Sequence, residues 1–210
     1  MVEIWPGAGG WYTEILAPYL RDKGTLYAAH FSADSESEFY RNARAKFAEK
    51  LNASPALYDK VVVTNFEPPA IIDIAREGTA DRVLTFRSVH SWYMRGGGDE
   101  RIASAFSAFY KALKPGGILG VVEHRLPMSR PYSDQETSGY MREDYVIKQA
   151  QLAGFKLVAK SEINANPADT TLHPQGVWTL PPTLRLGEEK RAHYLKIGES
   201  DRMTLKFIKP

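Results

Sequence analysis

The sequence predicts an α/β fold, a doubly wound Rossmann-like sheet with helices on both faces. Three observations predict it. Short β-branched runs alternate with amphipathic stretches along the chain, the pattern of parallel strands joined by crossover helices. The runs Val61-Val62-Val63-Thr64 and Ile118 to Glu123 are nearly continuous in apolar side chains, as strands covered on both faces are. A Gly-rich turn, Pro6-Gly7-Ala8-Gly9-Gly10, directly follows the first run.

Taken in order, Val2-Glu3-Ile4-Trp5 reads as the first strand. A helix from Trp11 to Arg21 is expected to bury Ile15, Leu16, Tyr19 and Leu20, although Pro18 conflicts with helix there. Asp22-Lys23-Gly24 closes that helix and Thr25 to His30 forms the second strand. Phe39, Tyr40, Ala43 and Phe47 mark a second helix ending near Asn52, before a third strand at Val61 to Thr64. Pro68-Pro69 is read as starting a short helix, Ala70 to Glu77, stopped by Gly78. Arg82 to Phe86 is the fourth strand. After Gly96-Gly97-Gly98 a helix carries Ile102, Phe106, Phe109, Tyr110 and Leu113, and Lys114-Pro115-Gly116-Gly117 turns into the fifth strand. A helix around Tyr140 to Leu152 ends at Gly154, Phe155 to Ile163 is the sixth strand, and Met203 to Ile208 is the last. The expectation is one domain over residues 1–210. The segment 164–195, which opens rich in Pro, Asn and Thr, is too long for a plain connection and is expected to elaborate the ligand side.

Composition narrows the function classes. Lys plus Arg number 27 against 25 Asp plus Glu, a formal charge of +2, which gives no footing for nucleic acid or an anionic membrane as partner. There is no cysteine, so disulfides, thiolate metal sites and cysteine nucleophiles are excluded. No apolar run is long enough to cross a bilayer, and no basic-then-apolar leader is present, so the expected location is the cytoplasm. The five histidines are scattered along the chain, and Asp169 and His173, four apart, lack a third ligand; no metal site is expected. The sequence carries no signal for oligomeric state.

A strand feeding a glycine turn and then a helix can hold a nucleotide-like ligand, because Gly7 and Gly9 let bare main chain approach it and the helix start offers free N–H groups. A dinucleotide fingerprint would place a third Gly where Tyr12 stands, which disfavours a pyrophosphate-binding nicotinamide site. A phosphate-cradling Gly-Lys-Ser/Thr is also absent. The segment Val2 to Gly10 resembles the first motif of class I S-adenosylmethionine-dependent methyltransferases. Ala80 to His90 resembles the family's fourth strand and following loop, and Leu113 to Leu119 its turn into strand five. More narrowly, nearly the whole chain is similar to a poorly characterised bacterial group of predicted methyltransferases, through Glu3 to Leu16, Val122-Glu123-His124-Arg125, Ser161 to Pro167, Gly176 to Pro182 and Ile197 to Met203. That group has no well-established substrate, and class I methyltransferases usually carry helices ahead of the strand with which this sequence opens.

The resemblance implies a seven-stranded sheet with the last strand antiparallel, and S-adenosylmethionine as cofactor. It implies that Glu3, Gly7 and Gly9, with Gly10 beside them, line its methionine and ribose part. The residue ending strand two, here His30 where the family usually has Asp or Glu, would meet the ribose hydroxyls, and Asn65 and Phe66 would flank adenine. An imidazole has less acceptor capacity than a carboxylate, and Asp34 is a candidate to compensate.

Other candidates come from position. His90 lies just past the C-terminal end of the fourth strand, where open α/β sheets place ligands, and an imidazole there could take a proton from a substrate. Arg87 and Arg125, with His124, sit at the ends of strands four and five and could hold an anionic group of cofactor or substrate; ion pairing with Glu123 or Asp81 is the plainer alternative. Trp92, Tyr93, Trp178 and His173 could wall a substrate pocket, or simply pack. The reading is methyl transfer to a small-molecule acceptor. A cofactor-binding regulatory protein without turnover and a nicotinamide-linked oxidoreductase are the alternatives.

Overall fold

The computed structural model describes residues 1–210. Strand β1 (Val2–Ile4) leads through the glycine turn to α1 (Thr13–Leu20) and β2 (Tyr27–His30). Helices α2 (Glu38–Ala53) and α3 (Pro55–Tyr58) lead to β3 (Val62–Glu67), which folds back as β4 (Ile71–Asp73). Next come β5 (Ala80–Phe86), α4 (Val89–Tyr93), α5 (Gly98–Ala112) and the long β6 (Leu113–Leu126). The chain ends with β7 (Met141–Arg142), α6 (Glu143–Leu152), β8 (Lys156–Ser161), α7 (Arg191–Ile197) and β9 (Arg202–Ile208).

The sheet order is β4-β3-β2-β1-β5-β6-β9-β8, with β7 beside β6. Strands β3, β2, β1, β5 and β6 are parallel neighbours, and β9 lies antiparallel between β6 and β8. The mostly parallel sheet with its last strand antiparallel is as the sequence predicts, but it has nine strands where seven are implied, the short β4 and β7 being the additions. The order reverses at β1, whose neighbours are β2 and β5. The crevice at the C-terminal ends of those strands is where such sheets bind ligands.

The main core cluster joins Val2 and Ile4 of β1 to Val83 of β5, Leu119 and Val121 of β6 and Phe207 of β9. On α5, Ile102, Phe106 and Phe109 recur at helical spacing and are fully buried against the sheet, each contributing about 1.5–3 kcal/mol of apolar transfer. Helix α2 starts where Ser37 accepts the Tyr40 N–H and buries Ala43 and Phe47.

Two expectations are corrected. Residues 71–73 form the edge strand β4, antiparallel to β3, where a helix over Ala70 to Glu77 was expected. The proline pair makes a turn, and the β-branched Ile71 and Ile72 pair with Glu67 and Phe66 on an edge left open by β3. Helix α1 buries Thr13 and Ala17, whereas Ile15 and Tyr19 are 54% and 64% exposed. Its small-residue face is drawn in because the Thr13 hydroxyl donates to Glu3 on β1 at 2.7 Å.

Residues 164–195 lie across the C-terminal side of the sheet, packing Val177 and Trp178 on Leu126 and Tyr140. They are fixed by the Asp169 carboxylate. It accepts from the Thr171 and Asp201 main-chain N–H groups at 2.8 Å each, from His173 Nε2 at 2.8 Å and from the Tyr140 hydroxyl at 3.0 Å. Burial alone would raise this carboxyl's pKa, but those donors together outweigh it and hold it below the usual value. Asp169→Asn places a donor among donors and should lower the unfolding free energy by about 2–4 kcal/mol at neutral pH. Because the folded pKa is depressed, the stabilisation is complete above the unfolded value of about 4 and declines as pH falls through the folded value. Urea titrations of both proteins at neutral pH and at pH 3 should show the gap narrowing in acid.

Candidate functional site

The glycine turn is shaped by what the protein itself forbids. Gly10 has φ +54°, and a Cβ there would lie 2.7 Å from the Phe47 ring, so only glycine fits. Gly9 is different: a Cβ would meet no protein atom within 4 Å. The bare main chain at Gly9 therefore borders open space. Trp5, at the start of the turn, has φ +51°, a strained conformation for a bulky residue. Its indole N–H donates to the Phe66 carbonyl at 2.6 Å, and its ring packs on Phe31 and Trp92. The signal that could locate this residue is a large aromatic between a strand and Pro6-Gly7.

Glu3 is 1% exposed. One carboxylate oxygen accepts from Thr13, and the other is buried without a partner. Burial pushes its carboxyl up to about 7, against the pull of the Thr13 hydrogen bond. His30 is fully buried and both ring nitrogens are engaged by main chain. Nδ1 accepts from the Phe31 N–H at 2.8 Å, so the proton sits on Nε2, which faces the Gly7 carbonyl at 3.2 Å. Burial lowers its pKa to about 4, opposed by the Gly7 bond and aided by Arg44. The neutral ring fastens the turn to β2, and in this arrangement neither nitrogen is free for a diol.

Beyond β3, Phe66 is fully buried in the core and presents no face to a ligand. Asn65 Oδ1 meets an Arg44 guanidinium nitrogen at 3.4 Å, and that nitrogen also donates to the Phe31 and Thr64 carbonyls. A carboxylate that sequence reading passed over, Glu67, accepts from the Ser32 N–H at 2.6 Å and the Ser35 hydroxyl at 2.8 Å, and so shapes the loop after β2.

A cleft of about 330 Å³ opens at the strand ends, and Trp5, Gly7, Arg87, His90, His124 and Trp178 are among its lining. A larger hollow of about 550 Å³ lies on the other side of Trp178. Arg87 has φ +56°, makes no ion pair, and its buried Nε has no partner. Glu199, also in the cleft wall, pairs with Arg202 at 2.6 Å.

At the cleft's inner end Glu123, fully buried on β6, ties two histidines together. Oε1 meets His90 Nδ1 at 2.9 Å and accepts the His124 main-chain N–H at 2.8 Å; Oε2 accepts the His90 main-chain N–H at 3.2 Å. His124 Nδ1 meets Ser200 Oγ at 2.5 Å. The two rings are 5.3 Å apart, and neither Nε2 has a hydrogen-bond partner in the protein. His124 is held well below the usual imidazole pKa by burial, then by His90, Arg87 and Arg202. The histidines scattered along the sequence thus include a close pair joined by a carboxylate. β5 and β6 are parallel neighbours, so residues just past β5 and near the end of β6 meet.

Four of the pocket candidates fall outside the cleft: Tyr93 packs on Tyr145, His173 is bonded to Asp169 beside the larger hollow, and Trp92 and Arg125 are placed as follows. Trp92 is fully buried against Phe66 and Phe109, one layer beneath, and belongs to the core. Arg125 is engaged by Asp201 through Nε at 2.8 Å and Nη2 at 2.9 Å, and by Glu162 at 2.7 Å. Hydrogen bonds that it donates to Asp201 and then to Glu162 hold its pKa above the usual value. Its partners are neither Glu123 nor Asp81; the latter is taken by Lys114.

No protein-family model and no curated protein matches the chain. Solved structures do. The chain is similar to the cyclase SpnF, with a TM-score of 0.63 and 14% identity over 100% of this chain and 73% of that one. It is similar to a SAM-dependent methyltransferase from Aquifex aeolicus, with a TM-score of 0.55 and 18% identity over 77% of this chain and 74% of that one. It is also similar to the glycopeptide N-methyltransferase MtfA complexed with S-adenosylhomocysteine, with a TM-score of 0.58 and 13% identity over 100% and 80%. The chain has the class I methyltransferase fold.

The raised pKa of Glu3 carries a sign. Stability from its protonated form is full below the unfolded value of 4.5 and is lost as pH rises toward 7. Glu3→Gln should flatten this slope, leaving the variant more stable than the parent at pH 8 by up to about 3 kcal/mol. Thermal melts of the ligand-free proteins between pH 4 and 8 will show it.

Proposed function

We propose that the protein transfers a methyl group from S-adenosylmethionine to a small-molecule acceptor bound in the cleft beside it. The single observation that carries this is the glycine turn at the order reversal of the sheet, open at Gly9 and flanked by a buried carboxylate oxygen on Glu3 that lacks a partner. Both features suit this cofactor. The open main chain accommodates its adenosyl and methionyl body, and a partnerless carboxylate suits its ammonium group. Arg87, with no carboxylate of its own, suits its carboxylate. Asn65 is the polar group left for the adenine side once Arg44 is satisfied, and His30 serves by holding the turn.

When bound, the cofactor supplies a methyl carbon on a sulfonium, displaced in line with a neutral leaving group. The chain's own task is then mainly positioning. Trp178 and His124 wall the acceptor. His90, its Nδ1 held by Glu123, has Nε2 available to receive a proton from an acceptor that arrives protonated. The similarity to SpnF, a cyclase, favours a second reading in which the same cleft serves a reaction other than methyl transfer.

Calorimetry with S-adenosylmethionine should give one site per chain, and Gly9→Val should abolish it while circular dichroism and melting stay near those of the parent. Unchanged affinity in that variant would overturn the placement of the site. Formation of S-adenosylhomocysteine across a panel of hydroxylated, carboxylated and amine acceptors separates methyl transfer from the cyclase-type reading. On an acceptor that turns over, His90→Gln should cut kcat by about 10²–10⁴ with cofactor affinity unchanged.

A further inference from the structure

We propose that His90, Glu123 and His124 form a binding site for one divalent transition-metal ion of the zinc class at the inner end of the cleft. Metal binding stands independently of the function proposed above; its catalytic consequence rests on that reading with an oxygen acceptor.

The donor set comes first. Two imidazoles and one carboxylate are ligands that zinc and its neighbours take, with a further position left for water or substrate. One ligating atom from each of the three residues lies within 4.8 Å of the others. Ligand atoms around zinc stand roughly 3.4 Å apart at ordinary bond lengths, so closure asks for an inward adjustment of about an ångström.

The electrostatics point the same way. Glu123 is fully buried, and its only ion-pair partner is the His90 ring; no lysine or arginine reaches it. A buried carboxylate facing only main-chain N–H groups and an imidazole lacks the full positive charge that ordinarily accompanies one. A divalent cation supplies it. The arrangement of the rings also fits: His124 Nδ1 is held by Ser200, which fixes that ring and leaves its Nε2 without a protein bond, and His90 Nδ1 already stands 2.9 Å from Glu123 Oε1, a spacing that two ligands of one ion can share in place of their hydrogen bond. Metal-ligating histidines are oriented by such bonds from the other ring nitrogen. Arg87 opposes a cation here, and its charge is offset once an anionic oxygen completes the site.

An ion held by these three residues would acidify an acceptor hydroxyl, so that its proton could pass to bulk water and its oxygen could bond the methyl carbon while the carbon–sulfur electron pair stayed with sulfur. His90 serves as a ligand in that state, and the role of base passes to solvent.

The test is titration of the full-length chain, free of any affinity tag and stripped with chelator, with Co²⁺ followed by its visible absorption and with Zn²⁺ followed by calorimetry and melting temperature. The expected result is one ion per chain with micromolar or tighter affinity, a rise in Tm, and at least tenfold weaker binding in both His90→Ala and His124→Ala. If either alanine variant melts early, Glu123→Gln and His124→Gln provide the same comparison with the side-chain volume kept. Absence of saturable binding, or equal binding in parent and variants, overturns the site. S-adenosylmethionine affinity of the metal-stripped chain is measured alongside. Cofactor binding without metal binding defeats this inference alone, and metal binding without cofactor binding defeats the methyl-transfer reading alone.

Discussion

The buried carboxylate of Glu123 is the interaction on which the inner end of the cleft depends. A charge removed from water must be met by donors, and here they come from the start of α4 and from β6 itself. Meeting that need draws His90 off the end of β5 and fixes His124 beside it. The arrangement thus follows from solvation of one side chain more than from any preference of the histidines.

A second constraint acts at the opposite end of the cleft. The turn after β1 must reverse tightly while leaving its outer surface bare. Gly10 yields to the Phe47 ring, Trp5 is forced into a left-handed conformation, and His30 anchors the Gly7 carbonyl. The end of β2 therefore presents a neutral ring turned toward the protein. Any recognition of a ribose would have to come from elsewhere in the loop after β2, whose shape is set by Glu67.

Much of this was legible in the sequence, for reasons that can be named. Alternating β-branched runs and helical faces gave the layer order, and the glycine turn gave the ligand end, because both are local patterns. His90 was legible because the end of a parallel strand is a position that sequence can locate. Its partnership with His124 was not, since it depends on β5 and β6 being neighbours in register. Phe66 and Trp92 lie in the core, which the sequence could not show, because an aromatic at a strand end reads the same whether it lines a cleft or lies one layer below it. Arg125 was visible as a charge near the site, but its partners come from residues 162 and 201, far along the chain. Likewise the edge strand β4 depends on an open side of β3 that no local pattern discloses.

Arg125 carries a consequence of its own. It grips Asp201, which follows Ser200, and Ser200 in turn touches the His124 ring. A half-buried guanidinium is thus linked through two residues, Asp201 and Ser200, to the imidazole of its own chain neighbour. Replacing it would leave Asp201 and Glu162 without their guanidinium partner, while Glu143 kept its pairing with Lys160. The resulting damage would register as impaired chemistry while its origin was mechanical, a slackened brace at a distance from any reacting atom.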